Sequence, residues 1–167
     1  MLILASAFIG LPVISLTWER KVAEIEDIIM EPKNGELLGF ELKKKLFSPP
    51  LFLASSDIEE VTKEAIFIRQ SDAVVEKKEI PRLAEALQKK IKFKNLKVIT
   101  ESQKTVGRLE DLLIDLPSKL TLKYYVKGFF ESRIIPKELV VKITPKAMVV
   151  QDEVLDGKIE LAAHGAA

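Results

Sequence analysis

The sequence predicts a mainly β protein: two small β-barrels in tandem, linked by a short α-helix. Three observations lead there. The chain repeats itself, since Val22-Ala23-Glu24-Ile25-Glu26-Asp27-Ile28-Ile29-Met30-Glu31 returns 84 positions on (22 to 106) as Val106-Gly107-Arg108-Leu109-Glu110-Asp111-Leu112-Leu113-Ile114-Asp115. Leu11-Pro12-Val13-Ile14-Ser15 is answered by Leu96-Lys97-Val98-Ile99-Thr100, and Glu64-Ala65-Ile66-Phe67-Ile68 by Lys146-Ala147-Met148-Val149-Val150, in the same order and with an offset that drifts only from 85 to 82. Such ordered self-similarity marks a duplicated module of about seventy residues. Within each copy, apolar and β-branched residues recur near period two between turn residues, which is a strand pattern. Between the copies the period changes, with Ile80, Leu83, Leu87 and Ile91 at helical spacing.

The elements follow in order. The first copy holds strands at about Pro12 to Leu16, Val22 to Glu31, Leu37 to Lys44, Leu51 to Leu53 and Ala65 to Arg69. The turn Glu31-Pro32-Lys33-Asn34-Gly35 joins the second to the third, because Asn-Gly supplies the positive φ values of tight hairpins. The second copy repeats this at Lys97 to Thr100, Val106 to Asp115, Leu120 to Lys127, Ile134 to Ile135 and Ala147 to Val150, with Leu116-Pro117-Ser118 in its hairpin turn. Short strands with tight turns predict a small closed or nearly closed barrel, which hides the edges an open sheet exposes. Pro81 suits a first helical turn, so a helix is expected over roughly Pro81 to Lys90, with its apolar stripe on one or both barrels. The expected division is a first barrel at 1–75, a basic helical linker at 76–94, a second barrel at 95–153 and a flexible tail at 154–167.

Composition narrows the function. With 167 residues, 47% hydrophobic and 31% charged, the chain suits one or two globular domains. Its net charge of +1 provides no global field for nucleic acid or an anionic surface, so any such binding must be local. The absence of cysteine removes disulfides, thiolate metal sites and a cysteine nucleophile. Met1 to Leu16 carry no charge, yet they lack the basic segment of a secretory signal, and Pro12 interrupts any span. Val13-Ile14-Ser15 is also matched by Val98-Ile99-Thr100 inside the second copy. The expectation is an uncleaved, cytoplasmic chain.

Catalysis is not expected. The single histidine, His164, lies in a small-residue tail, and without cysteine a zinc site would rest on carboxylates. The acid pairs Glu26-Asp27, Glu59-Glu60 and Glu110-Asp111 alternate across a regular strand, which keeps them from converging as acid and base. Asp27 and Asp111 are expected to accept hydrogen bonds near a turn or to face solvent. The glycines are scattered, so no phosphate-binding loop is present. The expectation is no catalytic residue, no metal and no cofactor.

Two features suit binding. Lys77, Lys78, Arg82, Lys89, Lys90, Lys92 and Lys94 form a basic run through the linker, opposed by Glu76, Glu79 and Glu85. Such a run could touch RNA or phosphate-rich lipid, although Phe93 is the only aromatic among them. The second feature is a pair of apolar tips, Leu46-Phe47-Ser48 and Phe129-Phe130-Glu131-Ser132, each following the third strand of its copy. Exposed aromatics at loop tips mark contact surfaces.

The ordered set resembles the PRC-barrel family, which includes the cytoplasmic part of the photosynthetic reaction centre H subunit and the C-terminal domain of the ribosome maturation factor RimM. The residues that carry the resemblance are Gly10 before the first strand and Gly107, Leu109 and Asp111 in a Gly-x-apolar-x-Asp strand. Ala23, Ile25 and Asp27 match that strand in the first copy, and Ile135-Pro136 and Ala147-Met148-Val149 close the second. The first copy departs at Leu53-Ala54. The resemblance implies an adaptor fold, and a tandem pair is similar to bacterial proteins and to archaeal PRC-barrel proteins linked to cell division. RimM itself opens on a different Gly-rich barrel that this chain lacks. The leading expectation is a non-enzymatic adaptor or scaffold that binds another protein or a second copy of itself. One alternative is an RNA- or ribosome-associated maturation factor acting through the linker. The other is a membrane-side subunit of a photosynthetic complex. No small-molecule substrate and no membrane contact are expected.

Overall fold

The computed structural model describes residues 1–157; the predicted tail lies largely outside this range, and His164 lies wholly outside it. In chain order the strands are β1 (Leu2–Leu4), β2 (Pro12–Ser15), β3 (Arg20–Glu31), β4 (Glu36–Leu42), β5 (Phe52–Ala54), β6 (Ile58–Val61), β7 (Ile66–Ile68) and β8 (Val74–Val75). After the helix α1 (Pro81–Gln88) come β9 (Lys97–Thr100), β10 (Thr105–Asp115), β11 (Leu120–Lys127), β12 (Ser132–Pro136), β13 (Val140–Ile143) and β14 (Met148–Val150). The protein is mainly β. Two compact units emerge, and neither is a continuous stretch of chain: among the described residues one holds 5–31 and 36–88, the other 1–4, 32–35 and 89–157.

In the first unit, β2 pairs antiparallel with β3 and parallel with β7, β7 pairs with β6, β3 with β4, β4 with β5 and β5 with β8. Strand β3 is long because it serves two neighbours. Its first half lies on β2 and its second half on β4, with register shifts at Val13/Ile14, Ile25/Asp27 and Ile29/Met30. Each shift inserts an extra residue that bends the strand and adds twist, so the sheet curls. The pairing path ends at β6 on one side and at β8 on the other, without hydrogen-bonded closure among the described residues. The expected closed or nearly closed barrel is a curled sheet whose connection from β5 to β6 is a 3₁₀ turn at Ser55–Asp57.

Residues on one face of this sheet build the core. Phe8 and Phe40 meet with ring centroids 4.9 Å apart, and Val13, Ile25, Leu53, Ile66 and Ile68 are buried with them. The other face of β4 is covered too. Leu83 and Ala86 of α1 pack on Ile29, Leu38 and Phe52, with Ile80 and Leu87 at the margin. Burying a side chain the size of Leu83 stabilises by about 1.5–3 kcal/mol. The helix thus packs on the first curled sheet, and it stops at Gln88, two residues short of expectation, where Lys90 adopts a positive φ of 53°. A left-handed residue just beyond the last turn is a common helix stop.

The second unit repeats the strand path. β9 pairs antiparallel with β10 and parallel with β14, β14 pairs with β13, β10 with β11 and β11 with β12. Its register shifts fall at Leu109/Asp111 and Leu113/Ile114, 84 positions after their counterparts in β3 (27 to 111, 30 to 114). Another recurs where Thr105 and Gly107 pair with Ile99 and Val98. The turns repeat as well. Gly10 (φ 83°) and Asn95 (φ 65°) donate their N–H groups to the carbonyls of Ile25 and Leu109 at 2.9 and 2.8 Å. Thr62 Oγ1 donates to the Ala65 carbonyl and accepts from the Ala65 N–H, and Thr144 does the same with Ala147.

What differs is what covers each sheet. The second unit takes β1 along β10, with Leu2 opposite Asp115 and Leu4 opposite Leu113. It also holds the hairpin tip at 32–35, where Gly35 accepts a 2.8 Å hydrogen bond from the Thr121 N–H. Gly35 alone supplies the left-handed residue of that turn, at φ 70°; Asn34 does not share the role expected of it. In the equivalent turn at 116–119 the same place is taken by Lys119, at φ 59°.

Candidate interaction surfaces

The two apolar tips are built differently. After β4 the chain runs through Lys43, Lys44 and Lys45, and the Ser48 N–H then donates to the Lys45 carbonyl at 3.2 Å. That turn places Leu46 and Phe47 at its corners, 83% and 97% exposed. Phe47 sits at φ 61°, in the left-handed region that β-turns usually reserve for glycine or asparagine. Pro49 and Pro50 stiffen the return arm.

After β11 a shorter loop closes when the Gly128 N–H donates to the Glu131 carbonyl at 3.0 Å. Its two aromatics, Phe129 and Phe130, are 93% and 87% exposed and pack edge to face with centroids 4.7 Å apart. Glu131 pairs with Arg133, whose Nε also donates to the Val154 carbonyl at 3.3 Å. A mutually packed ring pair on a braced loop loses little freedom when a partner covers it, and aromatic anchors of this kind dominate contact energies.

The linker cations are partly committed elsewhere. Arg82 forms a two-pronged ion pair with Glu36 at 3.0 and 2.7 Å, which raises its own pKa and holds the guanidinium against β4. Lys78 pairs with Glu76 at 3.2 Å. Lys77 and Lys78 belong with Arg82 to the first compact unit, whereas Lys89, Lys90, Lys92 and Lys94 belong to the second.

The repeated aspartates have a structural task. Asp27 Oδ1 accepts from the Ile28 N–H, and Asp111 Oδ1 from the Leu112 N–H, both at 2.8 Å. Each lies at a register shift, and its side chain accepts from the amide of the next residue. The same bulge overturns the expected alternation. Glu26 and Asp27 are both exposed rather than on opposite faces. Burial raises the Glu41 carboxyl above the usual range, with the charges of Asp27 and Glu26 adding to it. Among the described residues no group of histidine, cysteine or carboxylate side chains could hold a metal ion.

Sequence reasoning overlooked two features. Trp18, the only tryptophan, is half exposed in the loop between β2 and β3, with the Arg20 guanidinium 4.7 Å from its ring centroid. The equivalent loop of the second unit is polar instead. Ser102 donates through its N–H and Oγ to Asp152 at 3.2 and 2.7 Å, and these bonds hold the Asp152 carboxyl below its ordinary range. The other feature is the lysine run beside Leu46 and Phe47, visible in the sequence but read only as a strand end.

Residues 1–73 match the PRC-barrel domain family. A search of curated proteins returned no match.

Proposed function

Because residues 1–73 match the PRC-barrel domain, a kind of module that generally serves binding, we propose that the protein is a non-enzymatic adaptor in which two PRC-type modules each present a contact loop. The second module is proposed on the repeated strand path, with the same parallel pair (β2 with β7, β9 with β14) and the same bulges. The observation that supports the adaptor reading best is the braced, exposed pair Phe129–Phe130. Solvated aromatic faces of this size are unfavourable unless a partner or a second copy of the chain covers them.

An RNA-linked role through the linker has less support, since Arg82 and Lys78 already have carboxylate partners. A membrane-spanning role has no support from the helices: none among the described residues is long and apolar enough to cross a bilayer. The test is a native pull-down and sedimentation velocity on the full chain, wild type against Phe129→Ser with Phe130→Ser. Loss of the captured protein or of self-association, with unchanged thermal melting, is the expected result. Identical profiles for the two proteins refute the reading.

A further inference from the structure

The tip at residues 43–50 joins three properties that the other tip does not combine. Its apex is a pair of almost fully solvated apolar side chains, Leu46 and Phe47. Its ascending arm is three consecutive exposed lysines, of which only Lys43 has an ionic partner, at 3.2 Å from Glu24. Lys44 and Lys45 make no ion pair among the described residues. Its backbone is set to present the apex, with Phe47 in a left-handed conformation that residues of its shape rarely adopt and Pro49-Pro50 stiffening the way back.

A protein pocket could accept the apex but has no general need for a triple-lysine collar one step behind it. Single-stranded RNA could meet the lysines but would stack on a ring face beside them rather than leave two apolar groups leading. A lipid surface offers both at the right depths: an apolar layer for the leading side chains, and anionic headgroups at the level of the cations behind them.

We propose that residues 43–50 form a peripheral lipid-contact site in which Leu46 and Phe47 enter the headgroup–acyl boundary of an anionic bilayer, while Lys44 and Lys45 engage the headgroups. The sequence expectation of no membrane contact rested on net charge and on the lack of a spanning segment, and a local tip requires neither. The site is independent of the partner reading at Phe129 and Phe130. Together the two would make the chain an adaptor that holds a partner at a lipid surface.

The test is flotation of the full-length protein with liposomes of phosphatidylcholine, alone or mixed with phosphatidylserine. The wild type is expected to float with the mixed vesicles and not with the neutral ones, and to be released as salt rises. Each lysine close to an anionic surface strengthens binding roughly fivefold, so Lys44→Ala with Lys45→Ala should weaken it roughly 25-fold. Phe47→Gly suits the left-handed turn better than phenylalanine does, so it should melt no lower than the wild type while weakening binding roughly tenfold or more. Phe129→Ser with Phe130→Ser should float like the wild type, which separates failure of this site from failure of the partner reading. The proposal is overturned by absence of flotation with mixed vesicles, or by flotation that Phe47→Gly leaves unchanged. It is equally overturned if Phe47→Gly alters self-association instead, or if a labelled single-stranded RNA binds the lysines and is unaffected by vesicles.

Discussion

Replacing Gly39 by alanine tests why α1 belongs with the first curled sheet. Gly39 lies on β4, opposite Ala54 of β5 and under Leu83 of α1. A Cβ there would fall well inside contact distance of the Leu53 carbonyl oxygen, 2.9 Å from Leu83 Cδ1 and 3.2 Å from Ala54 Cα. Two of those neighbours are backbone of a paired strand and cannot swing away, and the third is a side chain with no solvent exposure. Overpacking of this kind costs about 1–3 kcal/mol. Removing a glycine from the unfolded chain returns about 0.4–1 kcal/mol. The expected net loss is about 1–2 kcal/mol, which lowers a urea midpoint by roughly 1 M for a small domain. Trp18 is the only tryptophan and lies in the same unit, so its fluorescence follows the unfolding of that unit. Leu83→Ala alone should cost about 2–5 kcal/mol. Combined with Gly39→Ala it should cost less than the sum, because one of the three clashes is gone. A Gly39→Ala protein as stable as the wild type, or strictly additive costs, would refute the packing described for α1.

Gly35→Ala places a left-handed alanine 2.8 Å from Tyr124 Oη and 3.2 Å from Thr121 Cβ. It should destabilise the second unit by about 1–2 kcal/mol or more and speed hydrogen exchange at the Thr121 amide, whereas Lys119→Gly in the matching turn should raise the melting temperature. Asp27→Ala and Asp111→Ala each remove the side-chain acceptor of the next amide and should cost about 1 kcal/mol in denaturant titrations, with Asn at either position retaining most of the stability. Asp152 has its folded pKa lowered, first by its side-chain bond to Ser102, from an ordinary value of 3.8. Its contribution is therefore complete above that value and fades as pH falls through the folded pKa. Melting curves across that acid range should show a steeper loss in the wild type than in Asp152→Asn.

Most strands were legible because the chain writes them twice, once in each copy: β9 and β11 fall where the pattern puts them, and β3 and β10 differ by two residues or fewer at their starts. β6 and β13 were not read. Ile58-Glu59-Glu60-Val61 and Val140-Val141-Lys142-Ile143 bury only their end residues in part, so they lack the alternation that marks a half-buried strand. β1 looked like a featureless apolar start because its partner, β10, lies more than a hundred residues away. The bulges that expose Glu26 beside Asp27 are likewise invisible to a strict period of two. The tips were legible as apolar interruptions after the third strand of each copy. Their difference was not, because the edge-to-face pairing of Phe129 with Phe130 and the left-handed turn at Phe47 are properties of the backbone path.

Hydrogen exchange on the full-length protein, free and with its captured partner, tests the adaptor reading most directly. The expected result is new protection at residues 128–132, with the strands of both units unchanged. Protection confined to the linker lysines, with the Phe129–Phe130 loop exchanging as freely as before, would contradict it.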